Sequence, residues 1–507
     1  MPANPEGSAL SLPRILIGGL RGSGGKTLVS VGLAAVLRSR GYTVAPFKKG
    51  ADYIDAAWLA AAAVRPCRNL DLFMLTEDTV RRSFAQAGSS AELAVIEGNR
   101  GLFDGMDARG TYSTAELAKL LRAPVILVCD CTKTTRTLGA MVLGCKQFDP
   151  DLEIRGIVLN RVAGGRHETV LRDVVEQYCG LPVLGAIPKL RECPFPERHL
   201  GLVPPQEHAE VPAAVEAARR IAEEHLDADG IRGIAMAAAP LAHDWSTPAA
   251  GEAGQEGGNE ALVRARSAGP AEEGGAVPGA QGAPGQQLGV PHVRIGVFRD
   301  EAFQFYYPEN LEALEREGGR LVVCSPLRDR SLPEVDAIYI GGGFPEMFAS
   351  ELAANVEFRR AVAAAVDAGV PVYAECAGAV YLGESLIMED KRYPMTGALP
   401  VVFGFGEKPQ WHGYAVMEVA GGNPYYSIGK SFRGHEFHYS RVLEVDEEKL
   451  SFAFRVRRGY GVDGERDGMC RKNALATYCH VHALGVQGWA RSLVRAGESN
   501  RQQARQP

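Results

Sequence analysis

From residue 246 to residue 289 the chain is dense in Gly, Ala, Pro, Glu and Gln and holds no aromatic residue. A segment of that composition cannot bury enough apolar surface to offset the conformational entropy lost on folding, so it reads as a flexible linker. Whatever lies on either side must build its own core. At 507 residues, and with roughly 150 residues per domain as the usual scale, two to four units are expected. The sequence divides into a flexible start over 1–13, a first domain over 14–230, a linker region over 231–290, a second domain over 291–495 and a polar tail over 496–507.

Both flanks carry the same pattern. In the first, short apolar runs such as Ile15-Leu16-Ile17, Ala94-Val95-Ile96, Val125-Ile126-Leu127-Val128 and Gly156-Ile157-Val158-Leu159 alternate with stretches of helical periodicity. That alternation is expected of buried parallel strands joined by crossover helices. It restarts at Val293-Arg294-Ile295-Gly296-Val297-Phe298 and runs through Ala337-Ile338-Tyr339-Ile340 to Pro371-Val372-Tyr373-Ala374. Two α/β domains are expected, and no internal repeat is present.

No run of about 18 apolar residues marks a membrane span, and 46% hydrophobic with 23% charged residues is an ordinary globular composition. The net charge of −6 leaves no basic footprint for DNA or RNA. The start MPANPEGSALSLP lacks the basic and apolar regions of a secretory signal, which points to the cytoplasm and to reduced cysteines. The ten cysteines show no C-x-x-C spacing, which argues against a zinc cage or a disulfide framework.

Gly19-Leu20-Arg21-Gly22-Ser23-Gly24-Gly25-Lys26-Thr27 follows the first apolar run and opens a helical stretch. In that context Gly22, Gly24 and Gly25 let backbone N–H groups converge on phosphate oxygens, Lys26 supplies charge, and the Thr27 hydroxyl can ligate Mg²⁺. The loop is a variant, with Leu20 where the strict P-loop pattern has its first glycine. Glu97 closes the run Ala94-Val95-Ile96, placed to hold a metal ion. Lys48-Lys49-Gly50-Ala51-Asp52-Tyr53-Ile54-Asp55 sets two carboxylates three residues apart beyond another strand. Taken singly, each acid is more often a solvated group or a helix cap. Their joint placement at strand ends, where open α/β sheets bind ligands, favours a functional role.

In the second domain, Ala374-Glu375-Cys376-Ala377-Gly378 lies between a strand and an apolar helical start. Small flanking residues permit the sharp turn of a nucleophile elbow, with Cys376 expected exposed at a helix N-terminus and its thiolate favoured. Thr477-Tyr478-Cys479-His480-Val481-His482 offers two histidines as the base, and Gly341-Gly342-Gly343-Phe344-Pro345-Glu346 offers backbone N–H groups for an oxyanion. A lone cysteine near a turn is ordinarily a small buried hydrophobe. Strand, glycine loop, cysteine elbow and late histidine in that order favour catalysis.

These residues together resemble the cobyrinic acid a,c-diamide synthase family over nearly the whole chain apart from the linker. The likeness rests on the variant P-loop, Asp52-Tyr53-Ile54-Asp55, Asn69-Leu70-Asp71, Glu97-Gly98-Asn99-Arg100-Gly101-Leu102-Phe103-Asp104-Gly105, Ser113-Thr114-Ala115-Glu116 and Glu197-Arg198-His199-Leu200-Gly201-Leu202. In the second half it rests on the Gly341 loop, Tyr373-Ala374-Glu375-Cys376, Arg433-Gly434-His435-Glu436-Phe437-His438-Tyr439-Ser440 and Tyr478-Cys479-His480-Val481-His482. The resemblance implies a dethiobiotin-synthetase-like P-loop parallel-sheet domain joined to a class I glutamine amidotransferase-like domain. It also implies ATP-, Mg²⁺- and L-glutamine-dependent amidation of the a and c acetates of a corrinoid acid. By that likeness Lys26 and Thr27 serve ATP and Mg²⁺, Glu97 the metal, Asp52 and Asp55 substrate activation, and Cys376 with His480 glutamine hydrolysis. The same chemistry on hydrogenobyrinic acid or Ni-sirohydrochlorin stays open, as does a P-loop switch ATPase carrying a non-catalytic glutaminase-like module. The oligomeric state is also open, a homodimer included.

Overall fold

Strands buried on both faces need apolar side chains at consecutive positions, and the runs of the first domain supply them. In the computed structural model, which describes residues 10–198, 201–208, 210–241 and 292–504, they become β1 (Arg14–Gly19), β2 (Val44–Lys49), β3 (Arg68–Leu70), β4 (Leu93–Glu97), β5 (Val125–Asp130), β6 (Ile154–Val162) and β7 (Val183–Pro188). The sheet runs β3-β2-β4-β1-β5-β6-β7, parallel throughout. Alternate residues feed two cores. Leu16, Phe47, Ile96 and Leu127 pack on one face, and Ile15, Ile17, Val95, Ile126 and Val128 on the other, beneath α1 (Lys26–Ser39) and α2 (Ile54–Ala63). Because β2, β4 and β1 are neighbours, the residues that follow them share one edge of the sheet.

A two-stranded pair, β8 (Glu197–Arg198) and β9 (Gly201–Leu202), precedes the second domain. There β10 (Val293–Phe298), β11 (Gly319–Cys324), β12 (Ala337–Ile340) and β13 (Val372–Glu375) form the parallel half of a nine-stranded sheet. A small sheet of β14 (Ser385–Met388), β15 (Lys391–Pro394), β16 (Val401–Phe405) and β19 (Ser440–Val445) lies apart. The remaining strands, β17 (Trp411–Val419), β18 (Ser431–His438), β20 (Ser451–Arg458), β21 (Arg466–Arg471) and β22 (Ala474–Thr477), complete the large sheet in the order β11-β10-β12-β13-β22-β21-β20-β17-β18. Pairing of β13 with β22 is parallel, so the segments that leave both strands, one carrying Cys376 and the other His480, emerge side by side.

The expected boundaries shift in three places. A helix over Ala228–Met236 crosses residue 230, with Ile231 and Ala235 fully buried. Leu241 pairs with Leu10, and Leu12 is buried, so both ends of the first domain extend beyond 14–230. The helix Trp489–Ala504 runs through the expected tail, with Gly497 against Val293 and Asn500 donating to the Asp336 carbonyl at 3.0 Å. Composition averages hide such helices, because two or three small or apolar residues at i, i+4 spacing suffice to dock a short helix. The linker expectation over 246–289 lies outside the described residues. Among the described residues no helix is long and apolar enough to cross a membrane, and no disulfide is present.

Candidate active site

The glycine loop after β1 needs backbone conformations that side chains resist. Gly25 has φ 97°, and a Cβ there would stand 2.1 Å from Asn160 Nδ2, whose amide donates to the Gly24 carbonyl at 2.9 Å. Gly25 therefore tolerates no side chain. Lys26 folds back over the loop, its Nζ donating to the carbonyls of Arg100 at 2.8 Å and Arg21 at 3.2 Å. Burial first, then the charge of Lys48, lowers its pKa. The loop borders an open cleft of about 1750 Å³ shared with Asp52, Asp55, Glu97 and Asn160. The pocket beside Cys376 is much smaller and tighter than this cleft.

The three acids of the cleft come together on a residue the sequence reading passed over. Lys48 is buried, 1% exposed, with Nζ 2.7 Å from Asp55, 2.9 Å from Glu97 and 3.7 Å from Asp52. Burial opposes the ammonium charge, but the three carboxylates outweigh it and hold Lys48 well above its ordinary pKa. Asp52 turns back to accept the Asp55 N–H at 3.0 Å, which caps the start of α2. Burial and the charge of Asp55 push Asp52 up to about 6. Burial pushes Glu97 up to about 7, against the pull of Lys48, while Lys48 holds Asp55 below its ordinary value despite burial. Thr27 donates to Glu97 Oε1 at 2.8 Å, leaving the buried Oε2 with no hydrogen-bond partner among the described residues. A signal for Lys48 was present in the sequence, a lysine at a strand end four residues before Asp52.

Cys376 stands at the turn between β13 and a helix over Ala377–Leu382, at φ 49° and ψ −100°. Its N–H donates to the Thr477 carbonyl at 2.7 Å, tying the elbow to the end of β22. For a residue with a Cβ, φ in this range is a strained turn of the kind that raises a nucleophile above its sheet. Contrary to the expectation of an exposed, acidified thiol, Cys376 is buried. Burial, followed by the charge of Glu346, raises its pKa. The reason is length and packing: a six-residue helix has a weak dipole, and desolvation outweighs it. Cys376 and Gly343 line one pocket. His480 packs against the neighbouring Gly342, where a Cβ would lie 2.4 Å from its Cε1. His482 is directed elsewhere, with Nε2 3.8 Å from Glu309 and its ring 4.7 Å from that of Tyr307. Of these two histidines, His480 is therefore the one against the glycine loop, and a third histidine, His438, lines the Cys376 pocket itself.

Both domains match known families. Residues 15–202 match the CobQ/CobB/MinD/ParA nucleotide binding domain, and residues 294–487 match the CobB/CobQ-like glutamine amidotransferase domain. The cobyrinate a,c-diamide synthase of Magnetococcus marinus is 42% identical over 485 residues, covering 96% of this chain and 97% of that protein. That of Archaeoglobus fulgidus is 38% identical over 487 residues, covering 96% and 98%. The chain belongs to the cobyrinate a,c-diamide synthase family. Its expected architecture, a P-loop parallel-sheet domain followed by a glutamine amidotransferase domain, is present.

In this member of the cobyrinate a,c-diamide synthase family the two sites touch. Tyr53, between Asp52 and Asp55 on the nucleotide-binding domain, stacks on Phe305 with centroids 5.0 Å apart and lies 4.6 Å from Tyr307. It also lies 5.6 Å from both His435 and His480. Further contacts flank it: Tyr414 donates to Asp71 at 2.8 Å and stacks on Phe73 at 4.3 Å, and Arg68 forms a fork with Glu312 at 2.7 and 2.8 Å. No sequence pattern pointed to this junction, because aromatic residues at these spacings read as ordinary core.

Proposed function

We propose that the chain converts cobyrinic acid to its a,c-diamide, using ATP to activate each acetate and glutamine to supply ammonia. A carboxylate is a poor acyl donor because oxide would have to leave. Attack of the acetate oxygen on the γ-phosphorus of ATP gives an acyl phosphate and ADP. Ammonia then attacks the acyl carbon, the C–O bond to phosphate breaks, and amide, phosphate and a proton are released. Such phosphoryl transfer depends on positioning and charge neutralisation. Lys26 and the glycine loop grip the nucleotide phosphates, Lys48 holds Asp52, Asp55 and Glu97 together at the mouth of the cleft, and Asp52 and Asp55 orient the acyl phosphate and the incoming ammonia.

The donor set fits Mg²⁺. Among the described residues no three or more His, Cys, Asp or Glu side chains are arranged to cage an ion, but Mg²⁺ is ordinarily held by one or two protein oxygens together with substrate phosphates and water. Glu97, with its partnerless buried Oε2, and Thr27 would hold it. When bound it would neutralise charge on the phosphates.

In the second domain Cys376 attacks the side-chain carbonyl of glutamine, His480 takes the thiol proton and returns it to the departing nitrogen, and water later cleaves the thioester to glutamate. One observation carries the whole reading: Tyr53, next in the chain to Asp52 of the acid cluster, packs with its ring 5.6 Å from the His480 imidazole of the other domain. A switch ATPase with an inert glutaminase-like module has no use for that contact. The test is turnover of cobyrinic acid, hydrogenobyrinic acid and Ni-sirohydrochlorin side by side, with ATP and glutamine. The reading expects two successive amidations of cobyrinic acid, each consuming one ATP. Preference for either other ring would reassign the substrate, and glutamine-independent ATP turnover with no amide formed would overturn the activity.

A further inference from the structure

His480 is held by an acid to which the sequence motifs containing it assigned no role. We propose that Glu375, the residue immediately before Cys376, is the positioning carboxylate that fixes and charges-balances His480 during glutamine hydrolysis. The inference rests on the reading of Cys376 and His480 as the glutaminase pair and adds its third member.

Glu375 is the last residue of β13 and is fully buried. Its Oε2 lies 3.3 Å from His480 Nδ1 and accepts the Tyr339 hydroxyl at 3.4 Å, while Oε1 accepts the Val481 N–H at 3.3 Å. The carboxylate therefore grips both the ring and the backbone of the segment that bears it. Register explains the meeting, because Glu375 is paired with Thr477 across the parallel β13 and β22 pair. The chain leaving β22 then delivers His480 beside Glu375. The strained turn at Cys376 parts the two adjacent side chains, Glu375 toward His480 and Cys376 into the pocket.

The other neighbours of His480 cannot take this role. His435 stacks on its face at 4.8 Å and is held neutral by burial. Tyr53 lies against its ring and carries no charge at working pH, and His482 is turned toward Glu309, with Nε2 3.8 Å from that carboxylate. With Nδ1 bound to an anion, the ring carries its proton there and presents Nε2 as the acceptor. The Cys376 thiol proton then moves to Nε2 as the S–C bond forms. It passes to the amide nitrogen as the C–N bond breaks, releasing ammonia. Glu375 stays ionised and balances the transient imidazolium. The present contacts are long, as catalytic hydrogen bonds often are before substrate closes the site.

The test compares Glu375→Gln with the parent full chain. Glutamine-dependent amidation should fall by about 10²–10⁴-fold, while amidation from ammonium salts, which bypasses the pocket, reports whether the protein is folded. The acid limb of kcat/KM for glutamine hydrolysis should move to lower pH, because the neutral amide no longer stabilises the imidazolium. Loss of packing alone would lower the rate without moving the limb, and Glu375→Asp should recover part of the rate. Should Glu375→Gln fail to fold, ¹⁵N NMR of His-labelled parent protein gives the answer: His480 is expected as the Nδ1–H tautomer. A parent-like glutamine rate and acid limb in Glu375→Gln, or an Nε2–H tautomer in the parent, overturns the proposal. If instead Cys376→Ser kept glutamine-dependent turnover, the underlying assignment of the pocket would fall, a result distinguishable because it does not involve Glu375.

Discussion

Lys48 sits among three carboxylates, two of which ionise reluctantly, Asp52 at about 6 and Glu97 at about 7. Breaking such a buried cluster by removing its cation costs about 3–5 kcal/mol, so Lys48→Met should lower stability by that order at pH 8. The sign with pH follows from the raised values. A carboxyl whose folded pKa exceeds its unfolded one, about 4, contributes stability below the unfolded value and loses it as pH rises through the folded one. Without Lys48 these folded values climb further, so the deficit in denaturant melts should shrink from pH 8 to pH 5. Function separates the neighbours. Asp52→Asn and Asp55→Asn should depress kcat for amidation by about 10²–10³-fold with a nearly normal KM for ATP, whereas Lys26→Ala should impair ATP use itself. The acid limb near pH 6 in kcat/KM for the ring acid, set by protonation of Asp52, should vanish in Asp52→Asn. Steady-state kinetics at fixed free ammonia would decide it, and an unchanged kcat in both Asp variants would sink the assignment.

At the scale of elements, the start of α2 does two things at once. Asp52 caps it from inside the cleft, and Tyr53, one residue on, reaches the His480 ring of the second domain. Any shift of this turn when nucleotide or ring acid binds is felt at His480. Tyr53→Ala should therefore leave ammonium-dependent amidation and basal glutamine hydrolysis largely intact. The stimulation of hydrolysis by ATP plus ring acid should fall at least about fivefold, the lower range of measured couplings between sites. Counting glutamate released per amide formed checks this, and an unchanged ratio would show that coupling runs elsewhere.

The two domains act as one molecule through a junction that is largely buried and partly charged. Arg68 on β3 faces Glu312 and, at 3.8 Å, Glu309. Glu309 is 3% exposed, and burial already pushes it to about 7 despite Arg68. Arg68→Ala should strip its counter-charge and loosen the junction, more at pH 8, where Glu309 would have to ionise, than at pH 6. Calorimetry should show the melting transition lowered or divided in two at pH 8. A single unshifted transition at both pH values would mean that the aromatic contacts around Tyr53 and Tyr414 suffice.

Two α/β bodies, a phosphate loop at Gly22 to Thr27, acids at strand ends and a cysteine elbow were all legible in the amino-acid order, because each is local: apolar runs, glycines at a turn, a nucleophile between strand and helix. The docked helices Ala228–Met236 and Trp489–Ala504 were not, since their burial depends on surfaces far away in sequence. Nor was the state of Cys376, where the sequence speaks for a helix N-terminus and the packed pocket decides for desolvation. Lys48 meets Glu97 only because β2 and β4 are neighbours. Glu375 meets His480 only because β13 and β22 pair in one register, and Tyr53 reaches His480 only because the two domains dock. Local chemistry sets which groups are available. Strand order, register and docking bring them within a few ångströms of one another, and at that range burial and charge set what each group does.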